Sequence, residues 1–292
     1  MADGSVLVVE ICSGDLTRIG PDGDKNTVAH LGGGPNGLAL GPDGAAYVCN
    51  NGGFKWHRTA DGRLIPGLLP ADYRGGSIQR IDMASGSVST IYDRCGAYPL
   101  RGPNDLVFDD SGGFWFTDLG KRGERSLDHG GVYYARTDGS SIVEVIYPLN
   151  TPNGIGLSPD GKRLYVAETG PGRLWAFDID APGHIKKGNS RYPNGGELVA
   201  GLAGFQLFDS LAVEECGNIC VATLYHGGIT VISPNGRILD HVAMPDDFTT
   251  NICFGGPNMC SAFVTLSSTG KLVRLDWPRA GLKLHQVQSP VL

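Results

Sequence analysis

The stretch that decides the fold is residues 151–168, TPNGIGLSPDGKRLYVAE. It begins with a Pro-Asn pair and a short apolar run, and it continues through the turn sequence Ser158-Pro-Asp-Gly-Lys162. It ends in a second apolar run around Tyr165. Asp-Gly between two strand-forming runs is typical of antiparallel strands that are joined by a hairpin. The stretch therefore predicts the first two strands of one small sheet.

The same pattern occurs five times along the chain. In each copy an Asn or Asp opens the first apolar run, and a second marker follows seven residues later. The opening residues are Asn36, Asn104, Asn153, Asp209 and Asn251, and the second markers are Asp43-Gly44, Ser111-Gly112, Asp160-Gly161, Cys216-Gly217 and, more weakly, Asn258. Repeats of roughly 40 to 50 residues with four strands each are typical of propeller blades. The pattern predicts an all-β, six-bladed β-propeller with four antiparallel strands per blade, formed by residues 1–292 as a single domain.

Alternating apolar and polar segments later in each copy predict the third strands of the blades. These segments are Ser77–Asp82, Gly131–Arg136, Arg173–Ile179, Gly228–Ser233 and Lys271–Asp276. A short outer strand is predicted at Glu197–Ala200. Residues 60–73 and 181–196 are rich in Gly, Pro and polar side chains, which indicates loops. We expect residues 50–76 to act as a lid over the channel, with Trp56 as an aromatic contact.

The first blade is predicted to be incomplete at its N-terminal end. Its first visible landmark is Asp3-Gly4, and the residue seven places earlier would be number −4, ahead of Met1. The opening residue and the inner strand of this blade are therefore expected to lie outside the sequence. Glu10 is not a substitute, because it is predicted to end the second strand.

The five opening residues should form a ring at one mouth of the central channel, because the inner strands of a propeller all run in the same direction. Asn and Asp also favour turns, and this alternative stays open for Asn36 and Asn251. A ring of amide and carboxylate oxygens suits hard divalent cations. Asp209 would supply a negative charge and Asn153 a neutral oxygen, and Ser210 can add its hydroxyl or its carbonyl.

Several other polar residues are candidates for the same mouth. Arg101 precedes Asn104 by three positions and can anchor an anionic or hydroxylated substrate, or it can be a solvated charge. His226 can approach the mouth or belong to a surface loop, whereas Asp105 and Asp118 are interpreted first as turn or strand-end carboxylates. A cation at such a mouth fits ester or lactone hydrolysis, because it can stabilise an oxyanion. The sequence contains neither a Gly-x-Ser-x-Gly motif nor a phosphate-binding loop.

Composition narrows the remaining classes of function. The formal net charge of −6 argues against nucleic acid as a partner. No run of 18 apolar residues predicts a membrane span, and the first ten residues lack the basic start of a signal peptide. The seven cysteines, an odd number, are interpreted as buried, reduced thiols of a cytoplasmic protein. A monomer or a small homo-oligomer is expected.

At these motifs the chain resembles the gluconolactonase, regucalcin and luciferin-regenerating enzyme family. The matching segments are 101–105, 151–158, 208–213 and 265–275. The resemblance implies a six-bladed propeller that binds one divalent cation at the channel mouth. Ca²⁺ is the first expectation, and Mg²⁺, Mn²⁺ and Zn²⁺ are alternatives. It also implies the hydrolysis of sugar lactones or related γ- and δ-lactones.

The resemblance further implies roles for individual residues. Asn153 and Asp209 would hold the metal, and Asp209 would also transfer a proton. Asn104 and Arg101 would bind substrate, and Ser210 and His226 are further substrate-binding candidates. In the family a Glu of a Glu-Gly-Pro motif completes the metal site; that motif is absent here, and its spacing would place it near number −4. A binding or scaffold propeller, or a metal-independent enzyme similar to strictosidine synthase, are the alternative functions.

Overall fold

The computed structural model describes residues 1, 3–186 and 190–284. Within these ranges the chain forms antiparallel sheets and no helix. The first sheet contains β1 (Val6–Glu10), β2 (Asp15–Ile19) and β3 (Lys25–His30). The second blade and its insertions follow as β4 (Pro35–Leu40), β5 (Ala46–Asn50), β6 (Trp56–Arg58), β7 (Leu64–Pro66), β8 (Ser77–Ile81), β9 (Val88–Tyr92), β10 (Arg94–Cys95) and β11 (Tyr98–Pro99).

The other blades follow in chain order. The third is β12 (Pro103–Phe108), β13 (Gly113–Asp118), β14 (Gly130–Arg136) and β15 (Ile142–Leu149). The fourth is β16 (Pro152–Leu157), β17 (Arg163–Glu168), β18 (Arg173–Ala181), β19 (His184–Ile185) and β20 (Glu197–Gly201). The fifth is β21 (Leu207–Val213), β22 (Ile219–Leu224), β23 (Gly228–Ile232) and β24 (Ile238–Ala243), and the sixth is β25 (Thr249–Gly255), β26 (Ser261–Leu266) and β27 (Lys271–Asp276).

The core lies between the blades. Five apolar clusters separate successive sheets, and each draws its side chains from two neighbouring blades. Between blades 2 and 3, for example, the rings of Tyr47 and Phe108 meet edge to face with centroids 5.2 Å apart. Burial of these apolar faces drives the sheets together. The predicted six-bladed propeller is confirmed.

The structure departs from the predicted strand pattern in three places. The first sheet has three strands, as expected, but β25–β27 is also three-stranded among the described residues. Residues 60–73 contain β7, which pairs with β6 in a hairpin around Thr59. Pro66 suggested a loop, yet a proline at the end of a short edge strand removes no ladder bond. Residues 181–196 contain β19, which pairs with the far end of β18, while residues 187–189 lie outside the described ranges.

The seven cysteines are unpaired, as expected, but their predicted burial is only partly correct. Cys49 and Cys220 are buried, whereas Cys12 and Cys216 are exposed. Cys12 and Cys216 lie in turns, which a strand pattern does not distinguish well from strand ends, and a third exposed thiol, Cys253, lies within β25. In the part of the chain that the structure describes, no helix is long and apolar enough to span a membrane.

Candidate functional site

Each of the five opening residues lies at a β-bulge of its inner strand. In β12, for example, Pro103 pairs with Asp118 and Leu106 pairs with Phe116, so two residues face one on the second strand. The inner strands of the other four blades shift register at the same place. A bulge bends its strand and redirects a side chain. The repeat seen in the sequence is therefore a repeat of bulges at one end of the channel.

Glycines allow the inner strands to approach each other at these bulges. A Cβ on Gly154 would lie 2.7 Å from the carbonyl oxygen of Asp209 in the next blade. A Cβ on Gly37 would lie 2.4 Å from the carbonyl oxygen of Asn104. Both distances are too short for a Cβ atom. Because glycine has none, the backbones of blades 2 and 3, and of blades 4 and 5, can approach each other beside the predicted site residues.

Two amide oxygens at these bulges have no hydrogen-bond donor among the residues that the structure describes. They are Oδ1 of Asn104 and Oδ1 of Asn153, and the two side chains are only 3% and 5% exposed. The amide nitrogen of Asn153 donates to Oγ1 of Thr169 over 3.0 Å, which fixes the direction of its oxygen. Buried polar atoms are almost always paired. Two unpaired oxygens at adjacent bulges therefore mark a place for a ligand that accepts their lone pairs.

Asp209 supplies a carboxylate next to Asn153. Burial raises its pKa from 3.8 to about 7; the Asn153 side chain opposes this shift as a hydrogen-bond partner, and the charge of Asp105 adds to it. Ser210, the next residue, is buried, and its side chain bonds to the carboxylate of Asp105. The structure thus brings Asn153 to Asp209, and Ser210 to Asp105, the residue after Asn104. The binding roles expected of these residues stay predictions.

Asp105 belongs to the same group, although its sequence position predicts only a turn or strand-end carboxylate. Its carboxylate accepts the N–H of Leu106 at 2.9 Å, and burial raises its pKa to about 7 against bonds from Leu106, Ser210 and Ile155. Two carboxyl groups with raised pKa values therefore share the channel. The signal that could have identified Asp105 is its position: it is the only acidic residue that directly follows an opening Asn or Asp.

Asp118 and Arg101 form the frame of the neighbouring loop. The carboxylate of Asp118 accepts the N–H groups of Arg101, Gly102 and Gly120 at 2.7, 2.7 and 2.9 Å. The Arg101 side chain is partly exposed and binds Asp128 at 2.8 Å. Asp118 therefore has the structural role expected of a strand-end carboxylate. Arg101 keeps part of its guanidinium available beside the strand that carries Asn104.

His226 lies farther from this group. It is exposed in the turn between β22 and β23, and its ring packs on His241 of the outer strand β24, with centroids 4.1 Å apart. Asn251 bonds its own neighbour, because its Oδ1 accepts the N–H of Ile252 at 2.7 Å. A bond of this kind between a side chain and the neighbouring backbone is the turn role that the sequence offers as an alternative for Asn251. The placement of His226 lends no support to its predicted contact with substrate, which stays a prediction.

The blade 2 extension, residues 51–76, lies on the same face as the bulges. Strands alternate in direction, so the loops after second strands and after fourth strands emerge where the inner strands begin. The Tyr73 hydroxyl donates to the carbonyl oxygen of Arg101, and the N–H of Leu69 donates to the carbonyl oxygen of Arg122 at 2.9 Å. These bonds fasten the extension to blade 3. Its predicted position near the site is consistent with these contacts, whereas Trp56 packs on Phe54 of its own segment.

The residues present fit a divalent cation only in part. Unpaired amide oxygens and a half-buried carboxylate are hard ligands of the kind that Ca²⁺ prefers. Within the described ranges, however, no group of three or more His, Cys, Asp or Glu side chains could hold a metal. The donor set therefore combines neutral oxygens with at most two carboxylates.

Comparisons with known proteins identify the family of this chain. A family model described as SMP-30/Gluconolactonase/LRE-like region matches residues 1–268. The lactonase drp35 of Staphylococcus aureus (strain USA300) is 28% identical over 245 residues, which cover 83% of this chain and 67% of that protein.

Solved structures share the fold at lower identity. A gluconolactonase from Xanthomonas campestris has a TM-score of 0.73 at 22% identity, covering 95% of this chain and 83% of its own. A calcium-binding regucalcin from Agrobacterium tumefaciens has a TM-score of 0.72 at 18% identity, covering 97% and 91%. At such identities these neighbours establish the propeller fold, and the family model establishes kinship over most of the length. The chain therefore belongs to the SMP-30/gluconolactonase/LRE-like family.

Proposed function

We propose that this chain is a lactonase that opens sugar lactones or related γ- and δ-lactones with the help of a divalent cation. The observation that carries the proposal is the pair of unpaired amide oxygens of Asn104 and Asn153 beside the Asp209 carboxylate. Asn153 and Asp209 would hold the cation, with Ca²⁺ as the best match for their oxygens. A cation bound there would supply Lewis-acid polarisation of the lactone carbonyl or acidify a water molecule.

The two carboxyl groups can handle the protons of the reaction. Without a bound cation, burial raises the pKa of each to about 7, so each can exchange a proton near neutral pH. A bound cation would favour the ionised form of Asp209, which is the form that accepts a proton. Water adds through its oxygen to the lactone carbonyl carbon, and a carboxylate oxygen of Asp209 takes its proton. The ring C–O bond then breaks, the alkoxide oxygen recovers the proton, and a hydroxy acid leaves. In this scheme the charge of Asp105 helps to keep the pKa of Asp209 raised.

The polar residues around the carboxylates would orient the substrate. Asn104 in β12 and Arg101 in the loop before it would bind ring hydroxyls, and the Ser210 hydroxyl holds Asp105 in place. The names of the lactonase and gluconolactonase relatives support this assignment of substrate class.

The test measures proton release from a panel of aldonolactones and simple γ- and δ-lactones. Chelator-treated protein should be inactive, and Ca²⁺, Mg²⁺, Mn²⁺ or Zn²⁺, added singly, should restore activity. Asp209→Ala should lower restored activity at least about 100-fold and abolish calorimetric cation binding. Asp160→Ala, in an exposed turn of blade 4, is the matched control and should change neither.

Other outcomes would identify another function. Ligand binding without turnover, under any cation, would support the binding or scaffold propeller. Turnover that persists in chelator and in Asp209→Ala would support a metal-independent propeller enzyme.

A further inference from the structure

Lys121 is a buried lysine that the proposed reaction does not use. It lies in the loop between β13 and β14 and is 4% exposed. Its Nζ donates to Oδ1 of Asn51 at 3.1 Å and to the carbonyl oxygen of Gly53 at 2.7 Å. Both acceptors are neutral. A buried ammonium normally requires a carboxylate partner, and among the described residues no ion pair includes Lys121.

Aromatic rings surround the rest of this ammonium. Nζ lies 4.2 Å from the centroid of Phe54 and 5.4 Å from that of Tyr73, and the Arg101 guanidinium lies 5.3 Å from the Tyr73 centroid. Burial lowers the pKa of Lys121 to about 7, while the charge of Asp118 opposes this and the charge of Arg101 adds to it. Among the described ion pairs none joins Asp118 to Lys121, and the Asp118 oxygens accept three backbone N–H groups instead.

Asn51 provides a second donor at the same place. Its Oδ1 accepts the N–H of Gly53 at 2.8 Å as well as the Lys121 ammonium, so these two donors set the orientation of the amide. The amide nitrogen Nδ2 is buried and has no acceptor within the described ranges. Asn51 itself is 2% exposed. The cluster thus contains more donors than acceptors, which is the composition expected of a site for an acceptor ligand.

The cluster also lies on the face that carries the candidate site. Lys121 and Asn51 follow the second strands of blades 3 and 2, and these loops emerge where the inner strands begin. The loop that leads to Asn104 joins them, because Arg101 shares the Tyr73 ring with Lys121.

We propose that Lys121 and Asn51 bind a carboxylate group carried by the substrate, away from the reacting ester. The inference rests on the proposed function, and it narrows the substrate class to lactones with an ionised carboxylate substituent. The Lys121 ammonium balances the single negative charge of a carboxylate, and the ammonium and the Asn51 amide offer one donor to each of its two oxygens. A more highly charged phosphate would remain uncompensated at such a buried place.

The competing explanation is structural: Lys121 would only fasten the blade 2 extension to blade 3. The two explanations differ in substrate dependence. Loss of a fastening would impair all lactones alike, whereas loss of a carboxylate site would impair only the charged ones.

The kinetic test uses a γ-lactone that bears a carboxylate and the matching carboxamide. In Lys121→Met the KM for the carboxylated lactone should rise roughly 10- to 100-fold, the range for a lost charge-assisted hydrogen bond, and kcat/KM for the carboxamide should change less than about threefold. Lys162→Met, at an exposed turn of blade 4, is the matched control. Equal losses for both substrates would overturn the proposal.

A second variant keeps the contact between Lys121 and residue 51 but removes the unpaired amide N–H of Asn51. In Asn51→Asp one carboxylate oxygen can still accept from Gly53 and Lys121, but the spare N–H is gone and the ammonium is neutralised. We expect selectivity for the carboxylated lactone to be lost with no decrease in Tm. Unchanged selectivity in a folded Asn51→Asp protein would contradict the inference.

A binding measurement separates this inference from the proposed function. Tetrahydrofuran-2-carboxylate has no ester to hydrolyse, and calorimetry should show that it binds the wild type and Asp209→Asn but not Lys121→Met. Such binding without any lactone hydrolysis would refute the proposed function alone. Lactone hydrolysis without Lys121-dependent carboxylate binding would refute the inference alone.

Discussion

Asp118 and Asp209 are two aspartates at the same end of the propeller with opposite surroundings. Asp118 ends a second strand, and its carboxylate accepts three backbone N–H groups. Asp209 sits at a bulge beside the unpaired oxygens of Asn104 and Asn153, and burial raises its pKa to about 7. The hydrogen bonds of the first carboxylate are used by the fold. The Asp209 carboxylate has the Asn153 side chain and the Ser210 backbone as partners, and the amide oxygen of Asn153 has no donor among the described residues. The unpaired oxygen beside Asp209, rather than burial, distinguishes the two carboxylates.

The contrast extends to other second-strand ends. Glu168 accepts the N–H of Asn150 and the indole N–H of Trp175, both at 2.7 Å, and Asn50 accepts the N–H of Gly34 at 2.8 Å. Each of these side chains holds the loop that leads into its own blade. The side chains at the ends of the second strands therefore hold the loops that lead to the bulges. The bulges carry the amide oxygens that have no donor among the described residues, those of Asn104 and Asn153.

The largest effect on stability is expected for Asp118→Ala. The change leaves the N–H groups of Arg101, Gly102 and Gly120 without their acceptor, so we expect a loss of about 3 kcal/mol in the free energy of unfolding. Urea unfolding measures it. Asp118→Asn retains one accepting oxygen and should lose less. A cost below about 1 kcal/mol for Asp118→Ala would show that the carboxylate does not hold this loop.

A smaller effect is expected where the inner strands meet. Gly154→Ala places a methyl group 2.7 Å from the backbone of Asp209, and the resulting shift should cost about 2 kcal/mol. It should also reduce cation binding, because it moves the Asp209 bulge. Gly201→Ala, on the outer strand of the same blade, meets its nearest atoms only at 4.0 Å and should be close to neutral. Equal costs for both variants would contradict the close-approach argument.

The sequence predicted the fold because five copies of one pattern agree. One strand with an ambiguous pattern therefore does not change the predicted fold. It also placed Asn104, Asn153, Asp209 and Ser210 together, because inner strands that run the same way bring equivalent residues to one mouth. Asp105 was undervalued, since its importance arises from contacts with blade 5 that are far away in sequence.

Lys121 shows the other limit of sequence reasoning. It lies in a polar loop, where a lysine normally is a solvated charge. Only the fold shows that the Phe54 ring of another blade covers it and that Asn51 faces it. The separation of 70 residues between Asn51 and Lys121 leaves no local signal. The bulges were missed for the same reason, because register is a property of two strands.

The smallest predicted effect is a gain in stability, and it tests the difference between Asp118 and Asp209 most directly. In metal-free protein Asp209→Asn should be more stable than the wild type at pH 8, by about 1 kcal/mol or a few degrees in Tm. The pKa shift alone corresponds to roughly 4 kcal/mol, but Asp209 is only half-buried, so solvent screening reduces the penalty. A carboxyl group with a pKa of about 7 when folded and 3.8 when unfolded binds more protons in the folded state between these values. Its contribution to stability therefore falls as pH rises from about 4 to 7, and the amide avoids this penalty.

The gain should thus shrink at pH 4, where the wild-type carboxyl is protonated in the folded state and resembles the amide. Added Ca²⁺ should reverse the order at pH 8, because a bound cation offsets the charge of the wild-type carboxylate and has none to offset in the variant. Scanning calorimetry at both pH values, with and without Ca²⁺, measures all four states. A destabilised Asp209→Asn in metal-free protein at pH 8 would place Asp209 with Asp118, among the carboxylates that the fold itself requires.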